Sequence, residues 1–145
     1  MEHFEKEKII VKKFFNNQGI DCDNFVFYKG EQEPCDVYCK TLNKQFQITH
    51  SDQEFIKRIL TEKFLKQLRT LDDAIDNIII NPVFKKIKAY GKSAQNIILL
   101  VDYKKEWSPI LNKYVAIAKN KIKTSPQNFF ANIYLVCADK NIKLF

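Results

Sequence analysis

Apolar and polar residues alternate along stretch 35–49 of the chain. Cys35, Val37 and Cys39 interleave with Asp36, Tyr38 and Lys40, and Phe46 and Ile48 interleave with Gln45, Gln47 and Thr49. A strand sends successive side chains to opposite faces, so this spelling predicts two antiparallel strands sharing one apolar face and one polar face. With Leu42 and Asn43 as the turn, Asp36 is expected opposite Thr49, Tyr38 opposite Gln47 and Lys40 opposite Gln45. The polar face is a candidate site.

The remaining elements follow from the same reading. Residues 2–17 have a helical stripe of Ile10, Val11, Phe14 and Phe15, with Gly19 placed to end it. Residues 24–30 read as a first strand. Ser51 and Glu54 form a capping box ahead of a stripe running from Phe55 to Leu68. A second box, Thr70 to Asp73, precedes another apolar helix, and Asn81-Pro82 reads as the start of a helix reaching about Tyr90, so a helical insert is expected over about 70–93. The run at 96–101 is apolar throughout, as in a strand covered on both faces, with Asp102 at its carboxyl end. A helix from Ser108-Pro109 to about Lys123 and a strand over 131–138 complete the order, with IKLF after the last turn. With no repeat and no linker rich in Gly or Ser, residues 1–145 read as one domain of the α/β class.

Composition narrows the function. Twenty-four Lys and Arg against 17 Asp and Glu give a net charge of +7, which favours an anionic partner, nucleic acid first. Charges interrupt every apolar run at the N-terminus and no run approaches the roughly 20 residues that span a bilayer, so a cytoplasmic chain without membrane contact is expected. The four cysteines read as buried free thiols or as part of a zinc set, Cys35 and Cys39 sharing a face with His50. His3 and His50 are the only imidazoles, and neither is expected beside a thiol on the polar face, which sets aside a Cys–His nucleophile. Three widely spaced glycines exclude a phosphate-cradling loop.

The order of an opening helix, an antiparallel meander, and crossover helices feeding further strands resembles the restriction-endonuclease-like fold of the PD-(D/E)XK nucleases. The matching positions are Pro34-Cys35-Asp36 and Gln47-Ile48-Thr49. The resemblance implies a three-layer fold, a mixed central sheet with its N-terminal meander flanked by helices, and metal-dependent hydrolysis of DNA phosphodiesters. It also implies a Mg2+ or Mn2+ ion held by Asp36, Gln47 and the backbone carbonyl of Ile48, and leaves open whether two copies join to cut both strands. Gln47 stands where the family has an acid and Thr49 where it has Lys. A neutral amide weakens the hold on a cation, so a further carboxylate is needed. Glu7 fits best, because positions 7, 10, 11 and 14 share one helical face whose other members are apolar; alternatively it sits at the rim and pairs with Lys. Glu33 is a substitute. Lys40, Lys44, Lys57 and Arg58 are candidates for the missing cation or for phosphate contacts, and Trp107, Tyr103 and Phe129 for stacking on bases. The rival expectation is a relative that has lost catalysis and binds nucleic acid or a protein partner.

Overall fold

The computed structural model describes residues 2–51, 75–109, 112–126 and 128–145. The helix expected after Ser51, the box at Thr70 to Asp73, and Lys57 and Arg58 lie outside them. Helix α1 (His3–Asn17) is followed by β1 (Phe27–Lys29), β2 (Val37–Cys39) and β3 (Lys44–His50). A π-helical turn (Asp76–Ile80) leads into α2 (Asn81–Tyr90); then come β4 (Ile97–Asp102), α3 (Asn112–Lys123), β5 (Asn132–Val136) and β6 (Asn141–Lys143). The strands form one six-stranded sheet in sequence order. Its two ends are antiparallel, and the middle pairs β3–β4 and β4–β5 are parallel, so the sheet is mixed and open.

Two apolar layers sandwich the sheet. Ile10, Val11, Phe14 and Phe15 of α1 pack on Val37, Cys39, Phe46, Ile48, Ile98 and Leu100. Phe46 is fully buried, with its ring in edge contact with Phe14 at 5.9 Å and Phe15 at 5.7 Å. On the other face Val83 and Ile87 of α2 and Ala118 and Ile122 of α3 cover Leu99, Val101, Ile133 and Leu135. Strand β4 is buried along its whole length, as its unbroken apolar run requires. The close of α1 follows from Gly19, whose φ of 76° lets the chain turn back so that the Ile20 N–H reaches the Phe15 carbonyl at 2.9 Å.

Two expectations need correction. The hairpin register is shifted by two: Tyr38 faces Gln45, Val37 faces Phe46 and Cys39 faces Lys44. The turn takes residues 40–43 rather than a tight pair, with the Asn43 N–H on the Lys40 carbonyl and Asn43 at a φ of 52° that Asn tolerates. A shift by two preserves the faces, so Tyr38, Gln45, Gln47 and Thr49 still point away from α1. The second correction concerns the residues before Asn81-Pro82: α2 begins at Asn81 and reaches Tyr90 as expected, but Asn81 is not an extended N-cap, because a π-helical turn runs straight into it. Ile80 and Asn81 both have right-handed helical dihedrals, and the chain runs on from Ile75 through Pro82. The wider π-helical turn just before it accommodates a proline that lacks an N–H.

Candidate active site

Strands β2 and β3 part company just past Phe46. Both the Asp36 N–H, at 2.8 Å from the Phe46 carbonyl, and its neighbour Val37 stand opposite Phe46. Two residues against one make a β-bulge, which re-aims a side chain out of the strict alternation. The bulge explains a third correction: Asp36 does not share the polar face of Tyr38 and Gln47. Its Oδ2 instead accepts the Ile48 N–H at 2.9 Å, and its carboxyl is hydrogen-bonded to Glu7 of α1. Cys35 is displaced likewise and packs against the α2 side while Cys39 lies in the α1 layer, so these two cysteines do not point the same way.

Gly30 makes the bulge loop fit. Its N–H donates to the Asp36 carbonyl at 3.1 Å, and a Cβ there would sit 1.8 Å from the Cys35 carbonyl oxygen. Only glycine permits so close an approach. Across the gap the Gln47 amide nitrogen donates to the Pro34 carbonyl at 2.6 Å. The gap is therefore bridged by side chains where ladder bonds would otherwise run.

Backbone direction adds an acceptor. The N–H and C=O of a strand residue leave on the same side, and odd-numbered positions beside β4 bond toward it, as the Ser51 N–H does to the Asp102 carbonyl. Ile48, bonded by its N–H to Asp36, thus directs its carbonyl into the same gap. The Glu7 and Asp36 carboxyls are in contact and Asp36 holds the Ile48 N–H, so the oxygens available at this end of the gap are carboxylate and backbone carbonyl.

The electrostatics of the pair are unusual. Glu7 is only 6% exposed. Burial, then the hydrogen bond to Asp36 and the negative charge of Asp36, push its pKa up to about 7, with Lys86 of α2 and Lys29 of β1 pulling the other way. Two carboxyl groups in hydrogen-bonding contact need a proton between them or a cation beside them. His3 reaches Glu7 from solvent at 3.5 Å.

A hollow of about 290 Å3 adjoins Glu7 at the carboxyl ends of the parallel strands β3 and β4, the usual location of sites in sheets with parallel strands. His50 Nδ1 lies 3.4 Å from Asp102 Oδ2, and Lys104 lies 4.0 Å from the same oxygen. That oxygen is buried and has no hydrogen bond among the described residues. His50 and Asp102 were not among the residues the family motif pointed to. Their signal was positional: an acid closing an otherwise apolar buried strand, and a histidine continuing the Phe46–Ile48 face.

Of the residues singled out in the sequence, Asp36 meets Glu7 through its carboxyl and Ile48 through the backbone N–H. Gln47, 2% exposed, and Thr49 belong to the opposite face, in register with Leu99 and Val101 under α2. Lys40 and Lys44 are exposed on the hairpin, and the cations whose charge reaches Glu7 are Lys86 and Lys29 instead. Tyr103 and Trp107 are core residues in edge contact at 5.4 Å, unavailable for stacking, and Phe129 is half-buried. All four cysteines are free. Among the described residues no three His, Cys, Asp or Glu side chains assemble as a metal set, and no helix is long and apolar enough to cross a membrane.

No family model matches the chain, and comparison with curated proteins and with solved structures returns no match.

Proposed function

We propose that the chain is a nuclease-like hydrolase of the PD-(D/E)XK type, acting on nucleic acid, DNA first, with Mg2+ or Mn2+. The observation that carries this reading is the contact between buried Glu7 and half-buried Asp36 at the β2–β3 gap, with Asp36 held by the Ile48 N–H. The donor chemistry fits a hard cation. Mg2+ is commonly held by one or two carboxylates, with waters and substrate phosphates completing its shell, so a third acidic side chain is not required. Such an ion, when bound, supplies charge neutralisation at the phosphoryl oxygens and lowers the pKa of a bound water.

The chain's own residues do the rest. Asp36 is fixed by the Ile48 N–H and needs no reorganisation to present its second oxygen. Glu7 holds a proton near neutrality when no cation is present, and gives it up when one approaches. Lys86 and Lys29 bring positive charge close to the carboxyl pair, which compensates in part for the neutral Thr49 at the position of the family's Lys. Lys6, Lys13 and Lys104 at the adjoining hollow suit the phosphates that flank the scissile bond.

A second reading keeps the fold and the basic surface without catalysis. It is favoured by Gln47 and Thr49, which are neutral and turned to the α2 face. Incubation of the wild type and the Asp36→Ala variant with plasmid and single-stranded DNA in Mn2+ at low salt separates the two. Cleavage that disappears in the variant supports the nuclease reading. Binding without cleavage in the wild type supports the second, and cleavage unchanged in the variant refutes the site.

A further inference from the structure

We infer that the side of the meander turned away from α1 is a binding face for single-stranded nucleic acid, with Tyr28 as its stacking platform. Tyr28, Tyr38 and Gln45 stand directly opposite one another across β1, β2 and β3. Partners in adjacent strands share a face and lie one strand spacing apart, about 4.8 Å, so the three side chains form a row. Helix α2 lies over β3 and β4, and among the described residues no helix covers this row. Tyr28 is 50% exposed, an unusual state for a large ring in a strand. It opens onto a groove of about 590 Å3 that also includes Tyr38, Cys35, Lys40 and Gln45.

The occupant follows from the chemistry of the row. Lys40 Nζ sits 6.0 Å from the centre of the Tyr28 ring, so a π-face and a cation are presented together. The Tyr38 hydroxyl is tied to Asn43 Oδ1 at 2.9 Å, which holds the second ring in place before anything binds. An unpaired base offers a flat π-face to stack on Tyr28, its phosphate meets Lys40, and Gln45 can donate to or accept from base edges. Duplex bases face each other and cannot reach the ring. An apolar peptide would find phenol, amide and ammonium where it needs aliphatic walls. Lys40 lines the groove beside the tyrosines, and the chain's net charge of +7 agrees in sign. The inference adds a substrate class to the nuclease reading and does not depend on it.

The test is fluorescence anisotropy of labelled twelve-nucleotide oligothymidine and oligouridine, and of a duplex of equal length, in EDTA at low salt. Without metal no cleavage can intervene, so the outcome is independent of whether the chain is a nuclease. Tyr28→Ala is expected to weaken binding of the single strands roughly five- to a hundred-fold, and Tyr28→Phe to stay within about twofold of wild type. Duplex binding should be weaker and indifferent to both changes. Tyr28 is exposed, so the variants keep their fold, which thermal unfolding verifies. A preference for either oligonucleotide supports the inference and assigns DNA or RNA. Wild-type binding to Tyr28→Ala, tighter binding of duplex, or no wild-type binding to either single strand overturns it.

Discussion

Replacing Glu7 by Gln should flatten the pH dependence of stability. In the folded chain Glu7 keeps its proton up to about 7, whereas the ordinary carboxyl value of 4.5 holds once the chain unfolds. Between those values the unfolded state binds fewer protons than the folded one, so stability falls as pH rises, and it levels off above the folded value. About 2.5 pH units at roughly 1.4 kcal/mol each set a ceiling of about 3 kcal/mol for the loss. Gln mimics the protonated form, keeping a donor for Asp36 while removing the titration. The assay is urea unfolding of both proteins in EDTA at steps from about pH 5 to about pH 8. The two should differ little at the acid end, and Glu7→Gln should be more stable by about 2–3 kcal/mol at the alkaline end. Parallel curves would refute the contact of buried Glu7 with Asp36 on which the site is built.

Other perturbations probe the surrounding structure. Asp36→Ala leaves the Ile48 N–H without its acceptor and should cost about 1–3 kcal/mol in chemical denaturation. Phe46→Ala opens the contact with Phe14 and Phe15 and should cost about 3–5 kcal/mol, measured the same way. Gly30→Ala pushes a methyl into the Cys35 carbonyl and should cost about 1–3 kcal/mol while weakening Mn2+ binding, as calorimetry would register. Mn2+ at a hundredfold excess over its dissociation constant should stabilise the wild type by about 2.7 kcal/mol near pH 8, with a much smaller gain in Asp36→Ala.

Much of this architecture was legible in the spelling of the chain. The stripe of Ile10, Val11, Phe14 and Phe15 and the unbroken run of β4 each admit one packing, and both elements lie where their periodicity puts them. The inward turn of Glu7 was likewise readable, because its helical face contains only apolar partners. The bulge was not. Alternation assigns Asp36 to the face of Tyr38, and only the packing of Gly30 against Cys35 breaks that alternation, through a contact that no local pattern encodes. The π-helical turn before Pro82 was hidden for a similar reason, since Asn-Pro is a good helix start and only the burial of Ile78, Ile79 and Ile80 together holds the chain helical there. The His50–Asp102 contact depends on the parallel pairing of β3 with β4, which brings residues 52 positions apart into register.

The central claim is that a divalent cation belongs between Asp36, Glu7 and the Ile48 carbonyl. Diffraction at the manganese absorption edge, from crystals soaked in Mn2+, tests it most directly. An anomalous peak at coordination distance, about 2–2.5 Å, from one oxygen of each of the three is the predicted result. No peak in the β2–β3 gap, or a peak only beside His50 and Asp102, would contradict it.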